Sequence, residues 1–309
     1  MKSLTCLCIA VLVALTAACS HTTGMISPPT LQRLDYTSAL DQSERQFFVY
    51  LPTGYYSDPD RQWPVLMFLH GNGERGNGRD ELGYVLNHGP LYEAWIQKKD
   101  LPFIMIVPQL PMFGMDEHAD YLRDRKLSDI PQRMPGGVPA RPARFATPQP
   151  MDGVAAPESM ADVPITLPNG WDRIETDLIS MLARVEREYQ VDSRRLYLTG
   201  LSYGGFGTWY IASKHPERFA AIAPVVGWGH PDLMAPIAEA RLPLWAFAAG
   251  RDRVVSIEHF YPGLNELETL GHPAVRFTNH EDMGHDAWVR VYQSDDLYQW
   301  LLEQKRPER

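Results

Sequence analysis

The chain has 309 residues, 44% of them hydrophobic and 22% charged, with a formal net charge of −9 and a pI near 5.6. That is enough apolar material for one substantial core, and the charge content is too ordinary for a globally disordered chain. The acidic balance argues against nucleic acid as a partner, because such binding needs a basic face.

The first 18 residues read as targeting rather than fold. Lys2 gives a positive start, and an apolar run follows over 4–15, too short to cross a bilayer comfortably as a helix. Small residues then lead to Cys19. The segment Leu15-Thr16-Ala17-Ala18-Cys19 resembles the lipobox of bacterial lipoproteins. That resemblance implies removal of 1–18, lipidation at Cys19, and export to the cell envelope with a membrane anchor on the outer-membrane or periplasmic side. The alternative is an ordinary cleaved signal peptide. All three cysteines, Cys6, Cys8 and Cys19, lie in this region. The folded body therefore has no disulfide, no Cys-based zinc site and no catalytic Cys. Residues 19–33 are expected to be a polar tether and 34–309 one catalytic domain.

Within that domain, short apolar runs at 46–51, 64–69 and 103–107 are each closed by Pro or Gly. They suit strands buried on both faces of a parallel sheet. From 110 to 170 the periodicity is lost and Pro recurs. An irregular stretch of this length is either a functional lid or a loosely packed insert, and the loose insert is the expectation here. Order returns with Trp171, Ile174, Leu178, Met181, Leu182, Val185 and Tyr189, a single helical stripe, with Asn169 as candidate N-cap. Strands are then expected at 196–199, 219–226, 243–249 and 274–279. Helices are expected at 203–214, at 257–270 with Pro262-Gly263 disturbing it, and after Ser294 at the carboxyl end. Strands alternating with helices mean a mainly parallel α/β sheet.

The chemistry centres on Gly200-Leu201-Ser202-Tyr203-Gly204, a G-x-S-x-G motif between an expected strand and an expected helix. In that setting it reads as a nucleophile elbow, with Gly at 200 and 204 relieving a turn too tight for side chains. A Ser hydroxyl needs a base. Asp252 follows the strand at 243–249, and His285 hangs from the loop after the strand at 274–279, so the order Ser, acid, His is satisfied. His280, Glu281 and Asp282 are rivals for these roles, His280 lying almost on the strand and the two acids too close in sequence to His285. The Gly-rich loop His70-Gly71-Asn72-Gly73-Glu74-Arg75-Gly76 follows the strand at 64–69. It offers the backbone N–H of Asn72 as an oxyanion donor, with that of Tyr203 as the second. A phosphate-loop reading fails for want of the Lys followed by Ser or Thr. Trp228 and Trp288 stand next to motif residues and are candidates for substrate contact, or ordinary packing residues.

Four blocks carry a family resemblance: 70–76 (HGNGERG), 107–109 (VPQ), 191–205 (VDSRRLYLTGLSYGG) and 284–288 (GHDAW). With 219–224 they make the chain similar to the α/β-hydrolase esterases grouped with polyhydroxybutyrate depolymerases, feruloyl esterases and "predicted peptidases". The resemblance implies an α/β-hydrolase fold and a triad of Ser202, His285 and Asp252. It implies hydrolysis of carboxylic esters, small or polymer-linked, through an acyl-enzyme, without metal or organic cofactor. Two other readings stay open: a serine peptidase, and a non-catalytic surface binding module on the same fold. The Pro-rich insert between Gln109 and Trp171 departs from the family pattern in its length.

Overall fold

The computed structural model describes residues 26–141, 147, 159–273 and 275–308. Eight strands form one sheet: β1 (Thr30–Thr37), β2 (Glu44–Leu51), β3 (Trp63–Leu69), β4 (Ile104–Val107), β5 (Val191–Leu201), β6 (Ala221–Val225), β7 (Leu244–Ala249) and β8 (Val275–His280). Their order is β1-β2-β4-β3-β5-β6-β7-β8. β1 pairs antiparallel with β2, and β2 with β4; every later pairing is parallel. All seven strands expected from the sequence are present. β1 is not among them, and its first residues fall in the stretch assigned to a tether. It is an edge strand whose side chains are half-buried or exposed, so it carries no run of buried apolar residues to announce it. The leader, Cys19 and residues 20–25 lie outside the described residues.

The parallel strands are continuous apolar runs because both faces of the sheet are covered. Residues of β3, β4, β6 and β7 are all buried. Alternation divides them between two layers. Val65, Met67 and Leu69 of β3 face a core that includes Leu178, Leu182 and Val185 of the helix Glu175–Glu188. Leu66 and Phe68 face the other core, which includes Leu297 and Leu301 of the helix Asp296–Glu303. The helix Tyr203–Lys214 packs directly behind Ser202, with the extent expected from sequence.

Two expectations are corrected. Asn169 is not an N-cap: it adopts φ 55, and the helical segment opens at Trp171 with Gly170 in the cap position and no side-chain cap. Its Oδ1 instead accepts from Arg173 Nη1 at 2.8 Å. Pro262-Gly263 does not disturb the helix Phe260–Thr269, because Pro262 falls in its first turn, where the missing N–H has no intrahelical partner to lose. The described parts of the insert are anchored at a few points, while most of residues 114–141 and 159–169 are exposed or half-buried. Leu110, Leu122 and Met160 are buried, and His230 Nε2 lies 3.1 Å from Met160 O. Arg125 Nη1 donates to Gly73 O at 2.6 Å and Arg75 O at 2.8 Å, and Arg141 forms a bidentate pair with Glu93. These anchors are side chain-to-backbone bonds and ion pairs, which leave no periodicity in the sequence. Residues 142–146 and 148–158 of the insert lie outside the described residues.

Candidate active site

Ser202 stands at the carboxyl end of β5 on a sharp turn into the helix Tyr203–Lys214, with φ 51 and ψ −118. A non-glycine residue there is strained, at a cost of about 1–3 kcal/mol. The surroundings hold it: Ser202 N donates to Val225 O at 2.9 Å, and Phe206 N donates to Ser202 O at 3.1 Å. The two motif glycines are sterically required. A Cβ on Gly200 would lie 2.2 Å from Gly204 O, and one on Gly204 would lie 1.8 Å from Leu69 O. The tight turn thus forbids a side chain at 200 by self-contact, and at 204 by contact with the end of β3.

The three expected side chains meet. His285 Nε2 is 3.0 Å from Ser202 Oγ, and His285 Nδ1 is 2.7 Å from Asp252 Oδ2. Asp252 sits in the loop after β7, and its side chain is fully buried. Its other oxygen, Oδ1, accepts from Val254 N at 2.8 Å and Val255 N at 2.9 Å. The carboxylate is therefore fixed in orientation, and Nδ1 must carry the proton it shares with Oδ2, leaving Nε2 free to accept from the Ser202 hydroxyl. The loop that carries His285 is tied to the loop of Asp252 through Arg251 N to Met283 O at 3.0 Å. The Trp288 ring stands perpendicular to the imidazole with centroids 5.1 Å apart.

Two of the three rivals, His280 and Asp282, are engaged elsewhere. His280 closes β8 and stacks on Phe247 at 6.3 Å, and burial pulls its pKa down. Asp282 forms a bidentate pair with Arg290 at 2.6 and 2.7 Å, which holds its carboxyl at about 2.

The loop after β3 lies against the elbow. A Cβ on Gly71 would meet Leu201 Cδ1 at 2.7 Å. The loop is fixed from below by His70, whose Nδ1 donates to Gly71 O at 2.6 Å and whose Nε2 accepts from Leu110 N at 2.9 Å. That pattern needs a neutral ring, and complete burial lowers the pKa to about 3. Trp171 Nε1 donates to His70 O at 3.2 Å. Among the described residues neither the Asn72 nor the Tyr203 backbone N–H has an acceptor.

The two tryptophans are separated. Trp228 lines a cavity of about 350 Å³ that opens on Ser202, together with Tyr203, Phe206, Val255 and His259. It stacks on His259 at 5.7 Å and meets Phe206 edge-on at 4.9 Å. Trp288 is not in this cavity. It backs His285 and lines a smaller cavity of about 100 Å³ with His88 and Tyr92. Leu167 brings the insert into the wall of the larger cavity. Phe206, Ser256 and His259, which also line this cavity, were not found from the sequence; the helix after Ser202 and the loop after Asp252 are where a search would have found them. Among the described residues no group of three or more His, Cys, Asp or Glu is arranged to hold a metal ion.

Residues 172–235, a stretch that includes Ser202, match the prolyl oligopeptidase family. No curated protein matches the chain in sequence. Among solved structures it is similar to a thermostable esterase at 24% identity and TM-score 0.58, covering 89% of this chain and 63% of that one. It is similar to the feruloyl esterase module from Clostridium thermocellum at 16% identity and TM-score 0.53, covering 90% of this chain and 88% of that one. It is also similar to the acylaminoacyl peptidase of Pyrococcus horikoshii at 12% identity and TM-score 0.54, covering 92% of this chain but 43% of that one. Strand order, elbow and structural likeness together establish that the chain has the α/β-hydrolase fold.

Proposed function

We propose that the protein is a serine hydrolase that cleaves carboxylic esters through an acyl-enzyme on Ser202. The observation that carries this reading is His285, which bridges Ser202 Oγ at 3.0 Å and Asp252 Oδ2 at 2.7 Å. His285 Nε2 takes the hydroxyl proton as Oγ attacks the ester carbonyl, and Nδ1–H stays bonded to Asp252, which stabilises the imidazolium. The backbone N–H groups of Asn72 and Tyr203 bind the oxyanion of the tetrahedral intermediate. His285 then protonates the departing alcohol, and water, activated by the same imidazole, releases the acid. Neighbours that are esterases at high coverage of both chains support ester over amide substrates. The match to the prolyl oligopeptidase family keeps peptide bonds as the second reading. Comparing p-nitrophenyl acetate with aminoacyl anilides separates the two. A Ser202→Ala variant that still hydrolysed the ester and still took a fluorophosphonate label would overturn both.

We further propose, on the lipobox-like segment alone, that Cys19 carries a lipid anchor; the register of the sheet then favours a site facing away from the membrane. Thr30 pairs with Leu51, and β2 runs so that Phe48 pairs with Val107 and Tyr50 with Met105. Thr30 therefore enters the sheet at the amino end of the parallel strands, whereas Ser202, Asp252 and His285 follow their carboxyl ends. Esters taken from the aqueous side, small or polymer-linked, suit that geometry better than lipids of the anchoring membrane.

A further inference from the structure

Arg75 is fully buried, and no carboxylate among the described residues pairs with it. Its fork is satisfied in three directions. Nε donates to Asn72 Oδ1, Nη1 to Pro111 O at 2.8 Å, and Nη2 to Asn169 O at 2.8 Å. The guanidinium carbon also lies 4.8 Å from the centre of the Tyr203 ring. Burial lowers its pKa to about 10, so it remains a cation at neutral pH.

Asn72, in the loop after β3, and Tyr203, at the start of the helix after Ser202, are far apart in sequence, yet both side chains rest on this one planar group. Pro111 and Asn169 mark the two ends of the insert, and both carbonyls are fastened to it as well. We infer that Arg75 is the positioning residue of the oxyanion site, setting the spacing of the two N–H donors and locking that spacing to the ends of the insert. The inference rests on the reading of Ser202 as the nucleophile. It matters for rate because an oxyanion donor displaced by a fraction of an ångström loses its advantage in the transition state, while ground-state binding in the cavity beside Trp228 is untouched. Lys cannot replace it, since an ammonium has no rigid fork to span three acceptors and a ring.

The test uses the full chain with p-nitrophenyl acetate as substrate and phenylboronic acid as a tetrahedral mimic on Ser202. Arg75→Lys is expected to lower kcat by about 10–100-fold with KM within about threefold of wild type. Boronate affinity is expected to weaken by a similar factor. Tyr203→Leu keeps its backbone N–H and removes the ring; its effect is expected to be smaller in the Arg75→Lys background than alone, because the two act through one contact. A kcat close to wild type in Arg75→Lys overturns the positioning role, and so does a loss of kcat with boronate affinity unchanged. If Arg75→Lys does not fold, Asn72→Ala, which keeps its backbone N–H and removes the acceptor of Arg75 Nε, gives the same reading: kcat and boronate affinity fall together with KM constant, or the inference fails. A wild-type chain that neither hydrolyses esters nor labels at Ser202 sinks the underlying hydrolase reading, a result distinct from an active enzyme indifferent to Arg75.

Discussion

Asp252 reaches His285 with one carboxylate oxygen only; the other is taken by the backbone N–H groups of Val254 and Val255. This division of labour makes Asp252→Asn informative. In the variant, the amide oxygen keeps the two backbone bonds, so the NH₂ turns toward His285. The imidazole must then present a lone pair at Nδ1 and a proton at Nε2, the wrong tautomer for accepting from Ser202. The expected outcome is a fall in kcat of about 10³–10⁴-fold, with the thermal midpoint little changed. Steady-state kinetics alongside a melting curve check it.

Ser202, the proposed nucleophile, sits on a strained turn. Ser202→Ala and Ser202→Gly both remove the nucleophile, yet only Gly is comfortable at φ 51. The Gly variant is expected to be more stable than the Ala variant by about 1 kcal/mol, and neither takes a fluorophosphonate label. Urea unfolding of the two inactive proteins measures the difference; equal stabilities would mean the turn is unstrained.

The separation of the two tryptophans predicts different kinetic signatures. Trp228→Ala opens the cavity on Ser202 and is expected to raise KM for bulky acyl esters by about tenfold while leaving acetyl esters nearly unaffected. Trp288→Ala removes the wall behind the His285 ring and is expected to lower kcat for every ester alike. A panel of p-nitrophenyl esters of increasing acyl size distinguishes the two patterns.

Glu74 supplies a pH dependence of stability. It is almost completely buried behind the Gly71 loop, and desolvation raises its pKa from the ordinary 4.5 to about 7. Between those values the folded state holds a proton that the unfolded state has released. Stability contributed by this group is therefore fully present below about 4.5 and is lost as pH rises toward about 7. Glu74→Gln removes that loss. Relative to wild type, the variant is expected to gain on the order of 2 kcal/mol between pH 5 and pH 8. Unfolding curves at the two pH values provide the check, and a constant difference between the proteins counts against a protonated Glu74.

What was legible in the sequence was local. The elbow at Ser202 is written in five consecutive residues between a strand and a helix, and the positions of Asp252 and His285 follow from which strands precede them. Buried strands such as β3 and β7 announce themselves because both faces must be apolar. The edge strand β1 does not, since it is half solvated and defined by its partner. The anchor points of the insert are not legible either, because Arg125, Arg133 and Arg141 bond groups tens of residues away.

The sequence by itself determined the sheet-and-helix alternation and which three side chains, Ser202, Asp252 and His285, follow the strand ends where they meet, because steric rules and hydrophobic periodicity act over a few neighbours. Only the tertiary structure decided that Trp228 lines the cavity at Ser202 while Trp288 braces His285, and that Arg75 ties Asn72, Tyr203 and both ends of the insert together. Those relationships join loops from separate strands, and their directions are set by how the strands align at one end of the sheet.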